Sequence, residues 1–173
     1  MYLVHYYDNY SVSPKLIRSF NCLEAAVNYF DDLVMDQKRL GFESYINSIG
    51  TNGTSKLDQG IFQYEKGGEW LTFTGVKKCK KFICKEDNNV TAEVLIILQK
   101  ETSNSHKIYI LFTTDQWKSN NSRVLRGIFT DETKHLLSSS KEDLLKNKVV
   151  DTENEISIIT LYDGECETAG GYF

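Results

Sequence analysis

One amphipathic helix, flanked on both sides by strand-like runs, limits what this chain can build. Leu23, Ala26, Val27, Phe30, Leu33 and Val34 fall at helical spacing between Asn21 and Gly41. Asn21 followed three residues later by Glu24 predicts a capped helix start, and Gly41 predicts its stop. Almost everything else has the β-branched and aromatic composition of strands. Strands are expected at Tyr2 to Tyr7, Lys15 to Phe20, Gly60 to Tyr64, Glu69 to Thr74, Val76 to Cys84, Val90 to Gln99, Lys107 to Thr114, Val124 to Phe129 and Ile156 to Tyr162. A second helix is expected from a cap at Thr130-Asp131 to about Asn147. Phe42 to Ile49 has no clear period, and Gly50 to Ser55 reads as a loop.

Three hairpins are expected. One turns at Glu65-Lys66-Gly67-Gly68. One joins Val90–Gln99 to Lys107–Thr114. One turns at Asp163-Gly164 and returns through Cys166. The order is strand, strand, helix, many strands, helix, strand pair. That order predicts an α+β fold, an antiparallel sheet with two main helices packed on one face, rather than an alternating parallel βαβ fold. At 173 residues the chain fits one compact domain, and it has one proline and no Pro-rich linker.

Two stretches, 1–49 and 105–150, are similar. Each has a run from Tyr to Asp spanning six positions, Tyr2 to Asp8 and Tyr109 to Asp115. Each continues through a polar loop to a strand ending in Phe20 or Phe129 and then a helix. A duplicated strand-turn-strand-helix unit would produce this pattern, and so would any two hairpins followed by helices.

The net charge of −4 works against non-specific binding to nucleic acid or anionic membrane. The 12% aromatic content argues against disorder. Met1 to His5 carries no basic segment ahead of an apolar run, and no apolar stretch reaches the length of a membrane span. A cytoplasmic protein is expected, with Cys22, Cys79, Cys84 and Cys166 reduced. Cys79 and Cys84 lack zinc-knuckle spacing, and His5, His106 and His135 form no metal motif. Neither a metal nor a cofactor is expected. Asp163, Glu165 and Glu167 lack the spacing of a calcium loop.

Two segments carry recognition chemistry. Asp115-Gln116-Trp117-Lys118-Ser119-Asn120-Asn121-Ser122-Arg123 sets an indole, two bases and an acid on one loop. Trp and Arg on exposed loops are common binding anchors, so Trp117, Lys118, Arg123 and Arg126 are the candidate contacts for a protein partner. The competing reading is a structured turn, with Asp115 bonded to local backbone and Trp117 covering the sheet edge. The second segment, Val76 to Lys85, holds Lys77, Lys78, Lys80, Lys81 and Lys85. With Trp70 and Phe73 close in sequence it could follow a phosphate backbone. The competing reading is a strand edge protected by lysines. The loop Asp115 to Ser119, with the strand Leu125 to Phe129, looks similar to small uncharacterised proteins of low-GC bacteria and their phages. The resemblance covers only that loop and strand and transfers no activity.

No nucleophile elbow or phosphate loop is present. An enzyme would have to assemble its site from His5, Asp8 or Asp115. The function expected is therefore a non-enzymatic protein-binding module, such as a phage or mobile-element accessory protein that inhibits a host enzyme or defence complex. A nucleic-acid or nucleotide binder using the lysine strip is the alternative.

Overall fold

The computed structural model describes residues 1–8, 14–40, 43–45, 55–56, 61–66, 69–86, 89–101, 106–119 and 122–168. In chain order they form β1 (Tyr2–Asp8), β2 (Leu16–Phe20), α1 (Leu23–Arg39), β3 (Glu43–Tyr45), β4 (Ser55–Lys56), β5 (Ile61–Lys66) and β6 (Glu69–Phe73). There follow β7 (Val76–Glu86), β8 (Asn89–Lys100), β9 (Lys107–Thr113), β10 (Val124–Phe129), α2 (Leu136–Lys146), β11 (Ile156–Tyr162) and β12 (Cys166–Thr168). The strands pair antiparallel, which makes this the expected α+β class.

The strands divide among three sheets: β12-β2-β1-β8-β7-β3, β10-β9-β11 and β4-β5-β6. The first two stack. Val4, Phe20, Phe82, Val94, Ile96 and Leu98 face α1, meeting its Ala26 and Phe30. On the opposite face Leu3 and Ile17 pack against Ile108, Ile110, Phe112 and Leu161 of β9 and β11. Tyr109 and Leu111 then point outward, where Leu137, Leu144 and Leu145 of α2 cover them. Each helix thus covers one face of its own sheet, with the two sheets between them. Because side chains alternate along a strand, covering both faces demands an unbroken apolar run. Val94–Leu98 and Ile108–Phe112 are such runs. In the remaining sheet, Phe73 reaches over the same inner face and meets His5 and Tyr7 edge-on.

The expected hairpin of β5 and β6 is formed, although Gly67-Gly68 lies outside the described residues. The other two hairpins are not. β8 is paired by β1 on one side and β7 on the other, so β9 cannot join it and starts the second sheet. The Asp163-Gly164 turn is present, with Gly164 at φ +79°. The strand after it pairs with β2 and not with β11. Buried Ser19 captures the turn: its N–H donates to the Glu165 carbonyl (3.1 Å), its carbonyl accepts the Gly164 N–H (3.0 Å), and its hydroxyl donates to the Tyr162 carbonyl. The turn hands the chain from one sheet to the other.

Helix starts also differ from expectation. The residue before α1 is Cys22, with no side-chain cap bond, and Gly41 lies outside the described residues. α2 begins at Leu136 after a series of turns, because the Asp131 carboxylate accepts the Tyr109 hydroxyl (2.8 Å) instead of capping a helix. Tyr2 lies opposite Phe20 and Tyr109 opposite Phe129, and each pair packs beneath the helix that follows its hairpin.

Candidate protein-binding loop

β9 ends at Thr113 and the chain crosses to β10 through residues 114–123. Asp115 builds that crossing. Its Oδ1 accepts the Ser119 N–H (3.0 Å), its Oδ2 accepts the Ser119 hydroxyl (2.8 Å), and its carbonyl accepts the Lys118 N–H (3.0 Å). Its own N–H donates to Ser122 Oγ (2.9 Å), whose hydroxyl donates on to the Ser119 carbonyl (2.8 Å). Asp side chains close turns in this way because a short acceptor reaches backbone N–H groups a few residues on.

The network presents Trp117 to solvent: it is 77% exposed and does not cover the sheet edge. Lys118 beside it sits at φ +54°, in the left-handed region that disfavours any side chain. Arg123 turns inward: it pairs with the Glu167 carboxylate and lies 5.5 Å over the Phe112 ring. That contact ties β12 to the base of the loop. Arg126 is exposed at a bulge of β10, its Nε donating to Thr113 Oγ1 (2.9 Å). The structure therefore groups Trp117 with Lys118 on the loop crest, uses Arg123 to hold the loop, and leaves Arg126 on the edge of β10.

Beside the loop lies an open groove of about 400 Å³. Thr114, Asp115, Ser122, Lys148, Asp151 and Glu155 are among its lining residues. Lys148 was not singled out by its sequence. It also sits at φ +54°, where α2 ends: its N–H donates to the Leu145 carbonyl and the Val149 N–H to the Leu144 carbonyl. This paired arrangement is a helix stop that normally uses glycine, so a Gly-based reading of sequence overlooks it.

The lysine strip is divided. Lys78 lies opposite Leu98 and Lys80 opposite Ile96, on the α1 side of the sheet; Lys81 lies opposite Leu95, on the other side. Lys78 is held by Asp31 (2.6 Å) over the Phe30 ring. Lys77 is exposed at a bulge, and the side chain of Lys85 lies outside the described residues. β3 pairs alongside Lys81 to Ile83, and the start of β7 is left as an edge among the described residues.

The enzyme candidates do not converge. His5 is fully buried between the sheets; its Nε2–H donates to Gln99 Oε1 (3.0 Å), and burial pushes the imidazole down to about 4. Asp8 points to the opposite face and pairs with Lys15 (3.5 Å). Asp115 is engaged in its loop, and His106 lies at the other end of β9. Burial pushes the Cys79 thiol up to about 12, which suppresses the thiolate. Among the described residues no group of three His, Cys, Asp or Glu could hold a metal ion, and no helix is long and apolar enough to cross a membrane.

No family model matches the chain, and no curated protein or solved structure matches it either.

Proposed function

We propose that the protein is a non-enzymatic module that binds a protein partner through the Asp115–Arg123 loop, with Trp117 as anchor. The observation that carries this reading is a largely exposed indole within a turn, Asp115 to Ser119, that hydrogen bonds from Asp115 brace. Preorganisation lowers the entropy lost on binding, and a large aromatic in a desolvated contact supplies much of the affinity. Lys118 and Arg126 contribute charge, and Arg123 positions the loop. On this proposal the partner is a host enzyme or defence complex, which a phage or mobile-element accessory protein inhibits.

A nucleic-acid role for Lys77, Lys78, Lys80, Lys81 and Lys85 has weaker support, because Lys81 lies on the face opposite Lys78 and Lys80, and Asp31 pairs with Lys78. The test is capture of the partner from host lysate with and without nuclease, followed by affinity measurement with purified components. Trp117→Ala is expected to weaken the complex by about 2 kcal/mol or more, while stability stays within about 0.5 kcal/mol. Unchanged affinity in the folded variant would reject the loop. Capture lost on nuclease treatment, with affinity falling steeply in salt, would move the role to the lysines.

A further inference from the structure

The edges of the two stacked sheets are not alike. β12 and β3 are three residues long, and β10 is broken by a bulge that carries Arg126. Short strands, bulges and basic side chains are the usual defences of an open edge. β11 has none of them. Its seven residues, Ile-Ser-Ile-Ile-Thr-Leu-Tyr, run in unbroken register with β9 and contain no charge, proline or glycine.

The pairing with β9 shows which backbone groups are open. The Thr114 N–H donates to the Glu155 carbonyl, and the Asp163 N–H donates to the His106 carbonyl. In an antiparallel pair the hydrogen-bonding direction alternates, so Glu155, Ser157, Ile159, Leu161 and Asp163 face β9. Ile156, Ile158, Thr160 and Tyr162 then face outward. The ends of that row are satisfied: the Ile156 N–H donates to Glu153, the Tyr162 N–H to the Glu165 carboxylate (2.8 Å), and the Tyr162 carbonyl accepts Ser19. Ile158 and Thr160 remain, each with an outward N–H and carbonyl that no described residue pairs. The Ile158 side chain is 42% exposed and Tyr162 52% exposed on the α2 side of the same strand.

Charge decides what can lie there. Glu153 and Glu155 precede the strand, and Asp163 and Glu165 follow it. A second copy pairing antiparallel about a twofold axis must set outward residues against outward residues. Centred on Ile159, this puts Glu155 against Asp163 at both ends. Like charges directly opposite destabilise a strand pair. A strand with basic residues at its ends meets the same carboxylates favourably, in either direction.

We propose that the β11 edge is a strand-addition site for an extended segment of a partner protein, β-branched at its centre and bearing Lys or Arg at both ends. Backbone bonds to Ile158 and Thr160 would hold the segment, and the flanking carboxylates would select it. This surface is separate from the Trp117 loop, and either can fail without the other.

The probe is a synthetic Val-Thr-Val-Thr-Val peptide with two lysines at each end, set against the same centre with two glutamates at each end. Amide hydrogen exchange and sedimentation are measured on the full chain. At a peptide concentration that fills about nine sites in ten, exchange at Ile158 and Thr160 should slow about tenfold, because it proceeds only from the empty tenth. The glutamate peptide should bind at least about tenfold more weakly. Thr160→Pro removes an outward donor without removing a bond to β9, a position where edge strands admit proline, and should weaken binding about tenfold. Ile158→Lys adds a charge at an exposed position and should weaken the lysine peptide similarly, so the test stands even if the proline variant does not fold. Absent protection at Ile158 and Thr160, equal binding of the two peptides, or a dimer that Ile158→Lys dissociates would each overturn the proposal.

Discussion

Lowering the pH should destabilise this protein through one histidine. His5 lies fully buried between the two stacked sheets, with Gln99 as its hydrogen-bond partner and Phe73 against its ring. Burial holds its pKa at about 4, against 6.5 in the unfolded chain. Between those values the unfolded state binds a proton that the folded state refuses, so folding stability rises with pH. The contribution is fully present above pH 6.5 and is lost as pH falls toward 4. At about 1.4 kcal/mol per pKa unit, the difference amounts to about 3 kcal/mol. Glu101 acts in the opposite sense: burial raises its pKa, so its contribution is present at low pH and lost as pH rises through the folded value. Comparison with His5→Gln cancels that effect. The glutamine amide can still donate to Gln99 Oε1 and does not titrate. Urea unfolding of both proteins from pH 7 to pH 4 should show the native protein losing about 3 kcal/mol more than the variant, mostly between pH 6.5 and 4.5. Parallel curves would mean that His5 accepts its proton in the folded state, and that the account of its burial is wrong.

Other substitutions test the loop and the two unusual turns. Asp115→Ala removes both side-chain bonds to Ser119 and should cost about 1–3 kcal/mol in urea unfolding, with Trp117 becoming more mobile by fluorescence anisotropy. An unchanged stability would show that the loop keeps its shape without Asp115. Lys148→Gly relieves a left-handed residue at the stop of α2 and should raise stability by about 0.5–1 kcal/mol, read as a higher Tm. Gly75→Ala should be costly, by about 2 kcal/mol or more in the same assay. Gly75 sits at φ +67°, and an added Cβ would lie 2.5 Å from the Lys100 carbonyl oxygen.

Sequence revealed elements better than their partners. The periodicity of α1 and the unbroken apolar runs at Val94–Leu98 and Ile108–Phe112 were sufficient to place a helix and two buried strands. Periodicity says that both faces of a strand are covered, and does not say by what. A second sheet under β1 and β8 therefore read as one extended sheet, and β9 as the hairpin partner of β8. The Asp163-Gly164 dipeptide signals a tight turn because glycine permits φ +79°; its destination depends on Ser19, more than a hundred residues away. The loop was legible where its chemistry is local, since Asp115, Ser119 and Ser122 lie within one another's reach along the chain. Arg123 was not, because its partner Glu167 belongs to another sheet. The division of the lysine strip was not legible for a related reason: a run of like residues in sequence divides between two faces once it becomes a strand.

The two proposed surfaces meet at one end of the small sheet. Ile156 lies opposite Thr113, so β11 begins where the Trp117 loop leaves β9. Between them is the groove walled by Asp115, Asp151 and Glu155. A basic strand laid on the β11 edge would end against those carboxylates, and the next residues of its chain would pass close to the loop. Two weak contacts joined by a short length of partner chain bind far more tightly than either alone, provided the spacing allows both at once. Asp115 fixes one side of that spacing, and the Schellman-type stop at Lys148 fixes the other.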